Sequence, residues 1–318
     1  MTSTFELFKN QLDDALALID QTESFAGQAK SSDLTHISSS VNTVVDTQSL
    51  LARCEKVCNK HEPKKPTIRI IHHLACSGGT LISKCISAMP NVYLLSEVHP
   101  YTDLAMGKDK PKYAPSDIIS LTKYSGIPQQ KELAQKLFKS AIDEVYQHVN
   151  KLGGTLVLRD HTHADFHTKS PIPVRCTLVE LLEEDYDVRS VLTIRNPIDS
   201  YASLIKNDWV HFEPQTFDEY CRRFLCLIEQ FKPEQIFKYE DFVEGSEVVM
   251  ANIAAYLRFN YCDSYKDTFA IFSVTGDSGR SGGEISKRVR RPLDEKLIQE
   301  IAQSNNFRRV CEMLDYQG

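Results

Sequence analysis

Thr67-Ile68-Arg69-Ile70-Ile71-His72-His73-Leu74-Ala75-Cys76-Ser77-Gly78-Gly79-Thr80 is the stretch on which the fold turns. Thr67 to Leu74 is rich in β-branched and apolar side chains, the signature of a buried strand. Ser77-Gly78-Gly79 breaks that run, and Thr80 to Met89 has helical spacing until Pro90 ends it. A strand handed to a helix through two glycines can hold an anion. Glycine lets the backbone approach closely, and the first-turn N–H groups of the helix have no intrahelical partner. Thr80 can add a hydroxyl. The loop is not of the G-x-x-x-x-G-K-[ST] kind, because the spacing differs and no lysine follows the second glycine. Taken alone, so short a match also fits a plain strand-to-helix turn.

The alternation continues downstream. Short apolar runs at Val92–Leu95, Thr155–Leu158, Val188–Ile194 and Gln235–Tyr239 predict strands. Helical patterns at 131–149, Phe217–Phe231 and Glu247–Leu257 fall between or after them. Strands alternating with helices predict a three-layer α/β/α domain around a mostly parallel sheet, spanning residues 63–318. Ahead of it, Phe5, Phe8, Leu12, Ala15, Leu16 and Ile19 share one helical face, and Val41 to Asn59 predicts a second helix. Residues 1–62 are therefore expected to form an N-terminal helical hairpin, suited to packing or to homodimer formation.

Composition excludes several classes. The formal net charge of −6 leaves no global basic field to recruit nucleic acid or an anionic membrane, so an anion site must be built locally. No apolar run reaches the ~20 residues of a membrane span. The N-terminus lacks the basic start and apolar core of a secretion signal, and the nine scattered cysteines predict mostly buried thiols in a cytoplasmic protein.

The second informative stretch is Val191-Leu192-Thr193-Ile194-Arg195-Asn196-Pro197-Ile198-Asp199-Ser200-Tyr201-Ala202-Ser203. An apolar strand delivers Arg195 to the carboxyl edge of the sheet, where open α/β sheets bind ligands. Pro197 opens a helix at a position that tolerates proline, and Ser203 lies about two turns along it. An arginine and a serine so placed can grip one phosphate. An arginine capping the sheet and a serine facing solvent is the plainer alternative.

Together the two stretches resemble the sulfotransferase superfamily, over roughly residues 67–291. Its members hold the 5′-phosphosulfate of 3′-phosphoadenosine-5′-phosphosulfate (PAPS) on a strand–loop–helix, and the 3′-phosphate on an R-x-P-x-x-x-x-x-S element. Both occur here in that order, about 115 residues apart. Lys238-Tyr239-Glu240-Asp241-Phe242 resembles the family's Y-E-D strand end. The resemblance implies a P-loop-like sulfotransferase fold and sulfuryl transfer from PAPS to a hydroxyl acceptor, leaving 3′-phosphoadenosine-5′-phosphate (PAP). It implies that Cys76, Ser77, Gly78, Gly79, Thr80 and Leu81 hold the 5′ end. Arg195 and Ser203 would hold the 3′-phosphate, with Tyr239 nearby. The family carries Lys or Arg where this chain has Cys76, so His73, Lys84 or Arg159 is expected to supply the charge. The basic run from Arg280 through Lys287 to Arg291 resembles a segment that closes over the nucleotide, which makes Arg280 and Lys287 candidate contacts.

Sulfuryl transfer needs a cation at the leaving oxygen and a base for the acceptor proton. Leu156-Val157-Leu158-Arg159-Asp160-His161 resembles the lysine–x–histidine strand end of cytosolic sulfotransferases, with Arg159 as the cation and His161 as a base. Glu97 resembles the base of tyrosylprotein-type and carbohydrate-type members, and the two bases remain alternatives. A nucleotide-binding scaffold without catalysis is the runner-up function. The H-x-H-x-D-x-H run from His161 to His167 is compatible with zinc, but no downstream ligand set accompanies it, and no metal is expected.

Overall fold

The structure is a computed structural model; it describes residues 65–102, 116–276, 284–287 and 289–316, together with Asp13. The expected N-terminal hairpin therefore lies outside the described residues, and so does Arg280.

Strand β1 (Thr67–His73) leads through the glycine loop into α1 (Gly79–Ser87). Then follow β2 (Val92–Val98), α2 (Gln130–Lys151), β3 (Thr155–Asp160), α3 (Thr177–Leu182) and β4 (Asp187–Ile194). The chain continues through α4 (Pro197–Lys206), α5 (Phe217–Ile228), β5 (Ile236–Lys238) and α6 (Ser246–Leu257). It ends with α7 (Glu295–Gln303) and α8 (Asn305–Leu314). The five strands lie in the order β2-β3-β1-β4-β5, and every pair is parallel. Two expected boundaries move. β2 runs three residues past Leu95, and Tyr239 leaves β5 to open a short helix, Tyr239–Glu244.

Helices cover both faces, as a parallel sheet requires. Ile71, Val157 and Val191 face α1 and α6, packing with Leu81, Ile82, Met250 and Ile253. Ile68, Ile70 and Leu158 face α2 and α3. Leu192 and Ile194 pack against α5, which brings Tyr220, Phe224 and Leu227. Full burial of each such side chain contributes about 1.5–3 kcal/mol. The same alternation sets the site. Ile71 is opposite both Arg159 and Val191 in register, and His73 is opposite Thr193. Side chains repeat every second residue. His73, Arg159, His161 and Arg195 therefore leave the carboxyl edge on the face that carries α1.

Three histidines are folded into this frame as neutral rings. Burial holds His73 and His163 well below the ordinary histidine value. His167, between Phe212 and Tyr220, is pushed down to about 3 by burial and then by Arg223 and His211. Once unfolded, each takes up a proton near pH 6.5. The unfolded state thus binds more protons below that pH, and stability falls on acidification. Each ring is expected to cost about 2 kcal/mol between pH 6.5 and 5. Urea unfolding at pH 7 and pH 5 checks this: the loss should be smaller by about that amount in His167→Phe, and an equal loss in both proteins contradicts it.

Candidate functional site

The loop after β1 is held by its own backbone and by two rings. Ser77 donates to the Leu74 carbonyl through both its N–H (3.3 Å) and its hydroxyl (2.7 Å). Gly78 caps α1 with φ +86°, a left-handed conformation that favours glycine. A Cβ at Gly78 would run into the Tyr239 ring, and one at Gly79 into the His73 ring. Both glycines are therefore needed for close approach, and Gly78 for the turn as well. The N–H groups of Gly79 and Thr80 lie in the first turn of α1, where no intrahelical acceptor exists. Leu81 donates its N–H to the Gly78 carbonyl and sinks its side chain into the core, so it offers neither to a ligand.

Arg159 is the centre of the site. Its side chain is 2% exposed and every N–H-bearing nitrogen is used. Nε donates to His73 Nε2 at 2.9 Å. Nη1 donates to Ser96 Oγ at 3.0 Å and to the Thr275 carbonyl at 2.7 Å. Nη2 donates to Glu97 Oε1 at 2.9 Å and Thr80 Oγ1 at 3.2 Å. Burial lowers its pKa to about 10, with Glu97 opposing, so it stays charged at neutral pH. Adjacent residues on a regular strand point to opposite faces, yet Ser96 and Glu97 both reach Arg159. A register shift between Leu95 and Val98 and a φ of +56° at Glu97 make this possible.

Of the expected replacements for a loop lysine, only Arg159 is cationic and in place. His73 is neutral, since it accepts from Arg159 and is buried beside it. Lys84 sits in the last turn of α1, away from the loop. Cys76 adopts φ +64°, receives a long contact from Asn207 Nδ2 (3.8 Å), and has its thiol pushed up by burial, so it remains neutral. His161 Nδ1 lies 4.0 Å from Glu97 Oε2, and burial lowers its pKa against the pull of Glu97. A neutral imidazole and a carboxylate oxygen thus face one another at the strand ends.

The Arg195 stretch joins the loop. Arg195 Nη1 reaches the Cys76 carbonyl at 3.5 Å, and its guanidinium lies 5.3 Å from the centroid of Tyr239. Tyr239 therefore touches both halves of the site, packing on Gly78 and under Arg195. Asn196 caps α4 by accepting from Ile198 N–H at 3.0 Å, and its own N–H donates to Glu240 Oε1 at 2.9 Å. Ser203 donates its hydroxyl to the Asp199 carbonyl at 2.8 Å. Of the basic C-terminal run, Lys287 pairs with Glu244 at 2.8 Å, whereas Arg290 reaches Asp199 on the Ser203 helix at 3.2 Å. Sequence reasoning overlooked Arg290, Ser96 and Thr275 as site residues. Their only signals were a polar neighbour of Glu97 and membership of a basic or glycine-rich run.

The histidine-rich turn does not converge. Asp165 accepts from Thr177 and pairs with His99 at 3.1 Å, the His161 and His163 rings lie tilted at 37° with centroids 3.8 Å apart, and His167 is in the aromatic core. Among the described residues no group of three His, Cys, Asp or Glu side chains is placed to hold a metal. Among them, also, no helix is long and apolar enough to cross a membrane. The packing of the loop gives a direct check. Gly79→Ala should destabilise the protein by about 1–3 kcal/mol, because His73 is buried and held by Arg159. Gly245→Ala, where the nearest atom to a Cβ is 3.9 Å away, should stay within about 0.5 kcal/mol. Equal thermal melts for the two variants would contradict the packing.

No family model matches the chain, and no curated protein matches it by sequence. Among solved structures it is similar to a sulfotransferase domain from the curacin biosynthetic pathway, at 16% identity and a TM-score of 0.49, covering 80% of this chain and 99% of that one. The sulfotransferase domain of the Synechococcus PCC 7002 olefin synthase matches at 14% identity and 0.48, covering 81% and 98%. A mouse sulfotransferase, SULT7A1, solved in complex with PAP, matches at 14% identity and 0.37, covering 78% and 82%. These three solved structures are sulfotransferases or sulfotransferase domains, at 14–16% identity to this chain.

Proposed function

We propose that this protein is a member of the sulfotransferase superfamily that binds PAPS and transfers its sulfuryl group to a hydroxyl acceptor. The observation that carries the proposal is the juxtaposition of two arginines around one glycine loop. Arg159 lies against Thr80 Oγ1, and Arg195 against the Cys76 carbonyl and Tyr239. The first-turn amides of α1 are available to a phosphosulfate, and the Tyr239 and His73 rings pack directly on Gly78 and Gly79 and brace the loop that carries them.

PAPS, when bound, supplies the activated sulfuryl group. The amides of Gly79 and Thr80 and the Thr80 hydroxyl would hold its 5′ end, with Arg159 providing the positive charge that Cys76 does not. Arg195 would hold the 3′-phosphate, with the Ser203 hydroxyl turning from the Asp199 carbonyl toward it, and Arg290 contacts Asp199 on the same helix. Tyr239 keeps the two ends at a set separation. Glu97 Oε1 is committed to Arg159, which leaves Oε2, facing neutral His161, to receive the acceptor proton. Positioning and preset charge supply most of the rate in transfers of this kind. The seven described cysteines are all free, which supports a reducing, cytoplasmic setting.

Isothermal titration with PAP and transfer of labelled sulfate from PAPS into acceptor mixtures test the assignment. Arg195→Ala should weaken PAP binding about 10- to 100-fold, the loss of a charge-assisted contact. Glu97→Gln and His161→Ala should each lower transfer about 10²- to 10⁴-fold while PAP affinity stays within about threefold. Absence of PAP binding, or binding unchanged in Arg195→Ala, removes the cofactor assignment. Binding without transfer to any acceptor removes the enzymatic one.

A further inference from the structure

Two acceptors share Arg159 Nη1, and one of them is foreign to the loop and to the sheet. The Thr275 carbonyl accepts at 2.7 Å from a guanidinium 116 residues earlier in the chain. Two more bonds pin the same residue. Thr275 N–H donates to Ser96 Oγ at 3.1 Å, and the hydroxyls of Thr275 and Ser96 meet at 2.7 Å. Gly276 follows at φ +80°, where side chains are strained. A Cβ at Gly276 would lie 3.1 Å from Thr80 Oγ1, 3.6 Å from Glu97 Oε1 and 3.8 Å from Arg159 Nη2. Thr275-Gly276 therefore rests on the cation, the loop hydroxyl and a candidate base at once.

We infer, on the nucleotide reading proposed above, that Thr275-Gly276 is an internal competitor of the ligand: its carbonyl occupies the place on Arg159 Nη1 that an anionic ligand oxygen takes. The carbonyl is a neutral acceptor on a charged donor. A phosphate or sulfate oxygen carries formal charge and makes the stronger charge-assisted bond to a guanidinium. An arriving anion can therefore displace the strap. Until it does, the strap keeps the buried guanidinium satisfied and covers the loop. Apparent affinity then equals intrinsic affinity scaled by the fraction of molecules whose strap is open.

The test uses the full chain. Thr275→Val removes the hydroxyl bond to Ser96, and Gly276→Val places a branched side chain at a positive φ against Thr80. Both loosen the strap while Arg159, Glu97 and the loop residues themselves stay unsubstituted. Each should bind PAP about three- to tenfold more tightly than the unaltered protein. In the unaltered protein, the Thr275 amide should be protected from hydrogen exchange, and saturating PAP should speed its exchange. Unchanged or weaker PAP binding in both variants overturns the inference, and so does a Thr275 amide that PAP leaves equally or more protected. If PAP binds none of the three proteins, the cofactor assignment fails separately. The same titrations and exchange measurement with inorganic pyrophosphate then decide the strap by the same outcomes, and failure of pyrophosphate to bind any of the three overturns it as well.

Discussion

A charged guanidinium buried at the end of a β-strand is the constraint around which this site is built. An isolated buried charge costs several kcal/mol, so Arg159 is tolerable only because every one of its nitrogens finds an acceptor. Those acceptors are five residues from four places: β1, the first turn of α1, the two bulged residues of β2, and the C-terminal segment. One cation thereby fixes the relative positions of the glycine loop, Glu97 and Thr275. Its local partner His73 is kept neutral by the same burial, so it accepts from Arg159 and does not repel it.

The charge arrangement follows from what the loop lacks. Cys76 is held neutral, and the first-turn amides carry only partial positive charge. Arg159 from β3 and Arg195 from β4 flank β1 on either side, since β1 is the middle strand of the sheet. Parallel register sends both side chains to the face that carries α1. An acidic chain thus concentrates positive charge at one sheet edge, where open α/β sheets receive ligands.

Much of this was legible in the residues. Thr67 to Leu74 declared a buried strand through its β-branched apolar run, and Pro197 marked the start of α4. Arg159, His161 and Arg195 stood out at strand ends after short apolar runs, and the resemblance to sulfotransferases pointed to Glu97 and to the roles of Arg159 and His161. The rest depended on contacts between distant segments. The bulge in β2 has no glycine or proline to announce it, and the left-handed φ of Glu97 accompanies the binding of both Ser96 and Glu97 by Arg159. Nothing local distinguishes Lys287 from Arg290, although one pairs with Glu244 and the other with Asp199. Tyr239 looked like a strand end and instead opens a helix, because its ring packs on Gly78 in the loop after β1. The histidine-rich turn had metal-like spacing, but burial in an aromatic core and a carboxylate already bound to Thr177 disperse its ligands.

The central claim is that Arg159 carries the charge that a lysine or arginine at position 76 would otherwise supply. Titration of PAP into Arg159→Met, and into Arg159→Met combined with Cys76→Lys, measures it directly. The single variant should lose about 10- to 100-fold in affinity, and the added lysine should restore most of that loss. Arg159→Met binding PAP as tightly as the unaltered protein, or the lysine restoring nothing in a folded double variant, would contradict the account.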